Sequence, residues 1–218
     1  MPASHPTPVA TLLIAGATGL VGSHVLRQAL DDARIHRVVA PTRTPLPPHP
    51  RLHNPVGDLA RFPSDARWWA VDAVVCALGT TMAKAGSRAA FRAVDFELPL
   101  LVAQRCRAQG ARTYALNSAL GADPKSLIFY SRTKGELEQA LQAMGFDSLT
   151  LVRPGLIGGR RQESRPAEGL GIRVSRLIEP LLPRRYRVVP AEHVARHLLA
   201  AALTGTPGVH VLNSERLV

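Results

Sequence analysis

The 218-residue chain predicts a doubly wound α/β fold on one parallel sheet of roughly seven strands. Three observations carry the prediction. Apolar runs of strand length recur along the chain, as strands buried on both faces require. Segments with apolar residues at three- and four-residue spacing lie between them, as helices covering those faces should. The first run ends in a glycine turn that opens directly into a helical pattern. Alternation of this kind implies right-handed crossovers and a sheet covered on both sides.

The first strand is expected over Thr11 to Ala17, followed by a helix from Leu20 to Leu30 with Leu20, Val21, Val25, Leu26 and Leu30 apolar. Arg37 to Ala40 reads as the second strand, the proline-rich stretch Pro41 to Pro50 as loop, and Leu52 to Val56 as a weak third strand. Ala73 to Gly79 is a strong fourth. A helix from Val94 to Gln109 stops at Gly110, a natural C-cap. Thr113 to Asn117 is the fifth strand, Ser126 to Met144 a helix ending at Gly145, and Leu149 to Arg153 the sixth strand, closed by Pro154-Gly155. Beyond lie an Arg-rich loop, a short helix near Leu170 to Leu182, a helix from Glu192 to Leu203 and a last strand, Val209 to Leu212. Residues 1–10 read as a disordered leader. Residues 11–218 read as one domain, with 155–188 as a minimal substrate-lobe insertion.

With 46% hydrophobic and 20% charged residues the composition is that of a globular domain with a core. No apolar stretch is long enough to span a bilayer, so no membrane partner is expected. The net charge is +11, yet Lys84, Lys125 and Lys134 are the only lysines, and the arginines are scattered. Aromatics are 5%. A nucleic-acid surface needs a clustered basic stripe with interleaved aromatics, so nucleic acid is not the expected partner. Cys76 and Cys106 lack CxxC spacing and give neither a disulfide scaffold nor a zinc site; no metal is implied, and a cytoplasmic location is expected.

Gly16, Gly19 and Gly22, in Gly16-Ala17-Thr18-Gly19-Leu20-Val21-Gly22, follow a strand and open a helix. The first lets the chain reverse, the second lets backbone approach a pyrophosphate, and the third allows tight helix–strand packing. The helix start adds free N–H groups and a positive dipole end. The spacing is GxxGxxG rather than GxGxxG. NAD binding usually places a carboxylate after the second strand to hold the ribose 2′-hydroxyl. Between Asp32 and Asp58 there is no acidic residue, and the second strand runs into Pro41-Thr42-Arg43. A guanidinium there suits a 2′-phosphate, which favours NADP(H) over NAD(H); the plainer reading is a surface arginine. Asp58 suits the adenine amino group or, equally, a helix cap.

Tyr130 and Lys134, in Tyr130-Ser131-Arg132-Thr133-Lys134, share one helix face. A Lys ammonium beside a phenol favours the phenolate and tunes Tyr130 as a general acid or base. Ser118 follows the fifth strand, where strand C-termini face the crevice, and is placed to orient a substrate carbonyl.

On these residues the chain resembles the short-chain dehydrogenase/reductase superfamily, in its compact atypical branch, and within it the Tat-interacting protein oxidoreductase-like family. The resemblance runs from Thr11 to Leu203. It rests on the glycine turn, Cys76-Ala77-Leu78-Gly79-Thr80-Thr81, Tyr130 to Glu138, and Arg153-Pro154-Gly155 with Arg161-Gln162-Glu163-Ser164-Arg165-Pro166. It implies that Ser118, Tyr130 and Lys134 form a reductase triad, that Lys134 also holds the nicotinamide ribose, that Leu78-Gly79-Thr80 lines the cofactor and that Pro154 borders the nicotinamide. Two departures stand out. Asp95 occupies a place where many members carry an Asn, and the region left for a substrate lobe is short, so any pocket is small, open or completed by a second subunit.

Two functions are compatible with this reading. One is an NADP(H)-dependent oxidoreductase acting on a small carbonyl, alcohol or sugar-like molecule, with epimerase or dehydratase chemistry included. The other is an NADP(H)-sensing regulatory or protein-interaction module on the same fold. Arg161 and Arg165 suit an anionic substrate, or pair with Glu163 and Glu168 to order a loop. A homo-oligomer is compatible with either function.

Overall fold

Seven apolar runs pair side by side into one parallel sheet: β1 (Thr11–Ala15), β2 (Arg37–Val39), β3 (Leu52–His53), β4 (Ala73–Cys76), β5 (Thr113–Asn117), β6 (Ser148–Arg153) and β9 (Gly208–Asn213). The computed structural model describes residues 10–158, 183, 185 and 187–218. The sheet order is β3-β2-β1-β4-β5-β6-β9, with Ile14 beside Val75 and Leu116 beside Leu151. The order reverses between β1 and β4, and a crevice opens beyond their carboxyl ends, where ligands of doubly wound sheets bind.

Helices cover both faces. On one side α1 (Leu20–Asp31) and α6 (Ala191–Thr204) bury Val21, Val25, Val194 and Leu198 against Leu12, Ile14 and Val75. On the other, α4 (Leu98–Ala108) and α5 (Phe129–Gln142) bury Val102, Cys106, Leu137 and Leu141 against Leu13, Val74, Tyr114 and Leu151. Each such fully buried aliphatic side chain contributes about 1.5–3 kcal/mol. The alternation of strand residues between the two faces fixes the register, because a one-residue slip would exchange the two cores.

The differences from expectation have local causes. The third strand stops at His53, since Pro55 has no N–H to offer a ladder; Val56 pairs with Thr42 only as an isolated bridge. The helix expected from Val94 begins instead as a π-helical turn, Ala93–Glu97, just ahead of Pro99, which cannot donate to the carbonyl of Asp95. Two short helices were not foreseen. α2 (Met82–Ala85) is capped by the Thr81 hydroxyl and α3 (Arg88–Arg92) by the Ser87 hydroxyl. A further parallel pair, β7 (Ile157–Gly158) with β8 (Val189–Pro190), stands apart from the main sheet. The leader up to residue 9 and the helix expected at Leu170 to Leu182 lie outside the described residues, as does most of the 155–188 insertion.

Candidate functional site

The chain turns from β1 into α1 through Gly16, whose φ of +87° is open to glycine and strained for other residues. A Cβ there would lie 2.8 Å from the carbonyl of Ala77, and a Cβ at Gly22 would lie 2.0 Å from the Gly16 oxygen. The turn therefore packs backbone on backbone across the switch point. The Gly19 N–H donates to Gly16 O at 2.9 Å. No side chain caps α1 and its first turn carries no acidic residue. The amides of Leu20 and Val21 thus face the crevice without an intrahelical acceptor, at the positive end of the helix. Thr18 and Gly19 are exposed, while Val21 and Gly22 are buried beneath. This cradle fits a diphosphate.

Arg43 projects beyond β2, exposed and with no hydrogen bond or ion pair among the described residues. Its backbone is held firmly. Asn54 Nδ2 donates to Ala40 O at 2.6 Å and Thr42 Oγ1 at 2.8 Å, while its Oδ1 accepts from Leu46 N at 2.9 Å. The Thr42 hydroxyl donates to Thr44 O at 2.7 Å. Asn54 is a positioning residue that the sequence reading missed, because its partners lie eight to fourteen positions away. Asp58 takes the capping role. It accepts from Ala60 N at 3.0 Å and lies 3.4 Å from Arg61.

Tyr130 and Lys134 do share one face of α5. Tyr130 is part-exposed, its ring 5.6 Å from that of Phe91. Lys134 is buried, and its ammonium lies 2.7 Å from Asp95 Oδ1, with side-chain exposures of 5% and 1%. Asp95 Oδ2 accepts the Thr80 N–H at 2.8 Å, and a Cβ added to Gly79 would sit 3.8 Å from Lys134 Nζ. The stretch Leu78-Gly79-Thr80 is thereby locked to α5. Lys134 does pull the Tyr130 phenol towards the phenolate as expected, but burial pushes it up more strongly, and Asp95 opposes the pull of Lys134.

Ser118 sits at the end of β5, buried, and its hydroxyl donates to Glu138 Oε1 at 2.5 Å. Arg153 donates to both oxygens of the same carboxylate, at 3.0 Å through Nε and again through its terminal nitrogen. Glu138 is only 2% exposed and lies one turn beyond Lys134. One carboxylate thus joins the ends of β5 and β6 to α5, and Pro154 follows directly, its carbonyl accepting from Leu120 N at 2.8 Å. A serine hydroxyl has one proton to donate, and here Glu138 receives it. Arg161 and Arg165, the candidate anion clamp, lie outside the described residues. No described helix is long and apolar enough to cross a membrane.

Comparison with known proteins agrees with this geometry. A family model described as NAD(P)H-binding matches residues 16–204. The chain is 37% identical over 172 residues to the mitochondrial protein fmp52 of Aspergillus niger, covering 74% of this chain and 73% of that protein. It is 34% identical over 175 residues to the mitochondrial FMP52 of Candida albicans, covering 76% and 73%. Among solved structures, MoeE5 in complex with UDP-glucuronic acid and NAD is similar with a TM-score of 0.73 at 20% identity, covering 94% of this chain and 76% of that one. The PhqB reductase domain from Penicillium fellutanum gives 0.66 at 22%, covering 96% and 68%. At these identities the structural likeness is one of fold. The fungal relatives are named as mitochondrial proteins, which overturns the cytoplasmic location expected above.

Proposed function

The chain belongs to the NAD(P)H-binding family and has the short-chain dehydrogenase/reductase fold; from that premise we propose that it is an NADP(H)-dependent oxidoreductase acting on a small carbonyl or alcohol, or on a sugar-like molecule. The observation that carries the reading is Tyr130, part-exposed on α5 one turn from a buried Lys134 whose ammonium lies beside Gly79. The nicotinamide, when bound, supplies or accepts the hydride. The protein does the rest. Amides at the start of α1 hold the diphosphate. Arg43, on its pinned turn, takes the 2′-phosphate through charge-assisted hydrogen bonds. Lys134 orients the nicotinamide ribose, as the family resemblance implies. As a carbonyl carbon gains hydride, Tyr130 gives its phenolic proton to the carbonyl oxygen and is reprotonated from solvent.

A second reading, an NADP(H)-sensing module without turnover, is supported by Ser118. Its single proton goes to Glu138, which leaves no hydroxyl donor from this residue for a substrate carbonyl. NADPH oxidation across a panel of aldehydes and ketones separates the two. The enzyme reading expects turnover with at least one substrate and a loss of roughly 100-fold or more in Tyr130→Phe. Tight NADPH binding with no turnover on any carbonyl would transfer the assignment to the sensor.

A further inference from the structure

We propose that Asp95 is a positioning residue that fixes Lys134 against the loop after β4 and offsets part of its charge at Tyr130, so that Tyr130 keeps its proton until a substrate takes it. The inference rests on the oxidoreductase reading and deepens it. Three elements meet at one carboxylate. Asp95 lies on the π-helical turn, its Oδ1 2.7 Å from Lys134 Nζ on α5 and its Oδ2 on the Thr80 N–H of the loop after β4. A solitary ammonium this deeply buried would be costly, and Asp95 offsets it.

The consequence reaches Tyr130. An unpaired ammonium one turn away would favour the phenolate, but a compact neutral pair does so far less. Burial then prevails, and the phenol is held above its ordinary range. The other charges around the ring are engaged elsewhere. From α3, Arg92 pairs with Glu136 at 2.5 Å and lies over Phe96, and Arg88 lies over Phe129. From α5 itself, Arg132 lies 4.0 Å from Glu136 and donates to Ser126 O. A phenol that keeps its proton can deliver it to a carbonyl oxygen as hydride arrives; a phenolate cannot.

Absorbance titration of tyrosinate in the protein without cofactor or substrate tests this, with Tyr130→Phe subtracted to remove Tyr114 and Tyr186. In the wild type Tyr130 should titrate above the free value near ~10. Asp95→Asn keeps the shape and an acceptor for Thr80 but leaves the ammonium uncompensated. Tyr130 should then titrate lower by about one unit or more. In Asp95→Asn/Lys134→Gln it should return to the wild-type value. A merely structural Asp95 would lower the melting temperature and leave the tyrosine unmoved, which would overturn the proposal. Should Asp95→Asn fail to fold, the wild type decides alone: a Tyr130 titrating well below the free value refutes the proposal, one above it supports it. Because no substrate is used, the two readings fail separately. A shifted tyrosine without turnover on any carbonyl sinks the oxidoreductase, whereas turnover with an unmoved tyrosine sinks the role of Asp95.

Discussion

The turn from β1 to α1 presents backbone to the crevice, whereas the wall formed by β5, α5 and β6 presents side chains already paired inside the protein. At the turn, nothing but main chain fits: Gly16 and Gly22 leave no space for a Cβ, and the amides of α1 remain uncapped. On the opposite wall, Lys134 is held by Asp95 and Ser118 by Glu138, which Arg153 also clasps. The first wall is ready to receive an anion. The second has its charges balanced before any ligand arrives, so its chemistry depends on what its internal partners leave over.

The comparison can be broken most forcefully at Glu138. Glu138→Ala would strand the Arg153 guanidinium and remove the acceptor of Ser118, costing about 3–5 kcal/mol in chemical denaturation; a loss below ~1 kcal/mol would mean the second wall is not held by this carboxylate. Next comes Gly22→Ala. Its methyl group would collide with the Gly16 carbonyl, and a loss of about 3 kcal/mol in thermal melts, with weakened NADPH binding, is expected. Arg43→Ala should leave the melt unchanged and remove about 1.5–3 kcal/mol of NADPH affinity while sparing NADH; equal losses for both nucleotides would remove Arg43 from the 2′-phosphate. The smallest effect is one of pH. Burial holds His53 and His197 below the ordinary histidine value, so the unfolded chain takes up protons first. Their contribution to stability is full above about pH 6.5 and is lost as pH falls below it. Melting curves between neutral and mildly acid pH should show the decline, and the variant His53→Asn/His197→Asn should flatten it.

How much of this was legible in the sequence follows the same division. The glycine turn could be read because its requirements are local: a strand, three glycines and a helix start within a few residues. The sheet was legible for a related reason, since continuous apolar runs such as Ala73 to Cys76 announce burial on both faces. Tyr130 and Lys134 share a helix, so their common face was also foreseeable. What could not be read were the partners across the fold. Glu138 looks like an ordinary helix-surface acid until β5 and β6 bring Ser118 and Arg153 to it. Asn54 looks like loop until its amide is seen pinning the turn that carries Arg43. Asp95 drew notice as an unusual residue, yet its bridge from Lys134 to the Thr80 N–H and its opposing pull on Tyr130 emerged only from packing.

The central claim, that bare amides at the start of α1 bind the diphosphate, is tested most directly by calorimetric titration of NADPH into Gly19→Asp beside the wild type. Gly19 has an ordinary extended backbone, with φ −77° and ψ 171°, and a Cβ there meets only the Gly16 oxygen at 3.3 Å and the Ala77 oxygen at 4.0 Å. Aspartate is moreover a favoured N-cap, which offsets the few tenths of an ångström by which the Gly16 carbonyl must give, so the fold should survive. Its carboxylate would occupy the amides and repel the phosphates. Wild-type binding with none in the folded variant is the predicted result; NADPH binding equally well to both proteins would contradict the account.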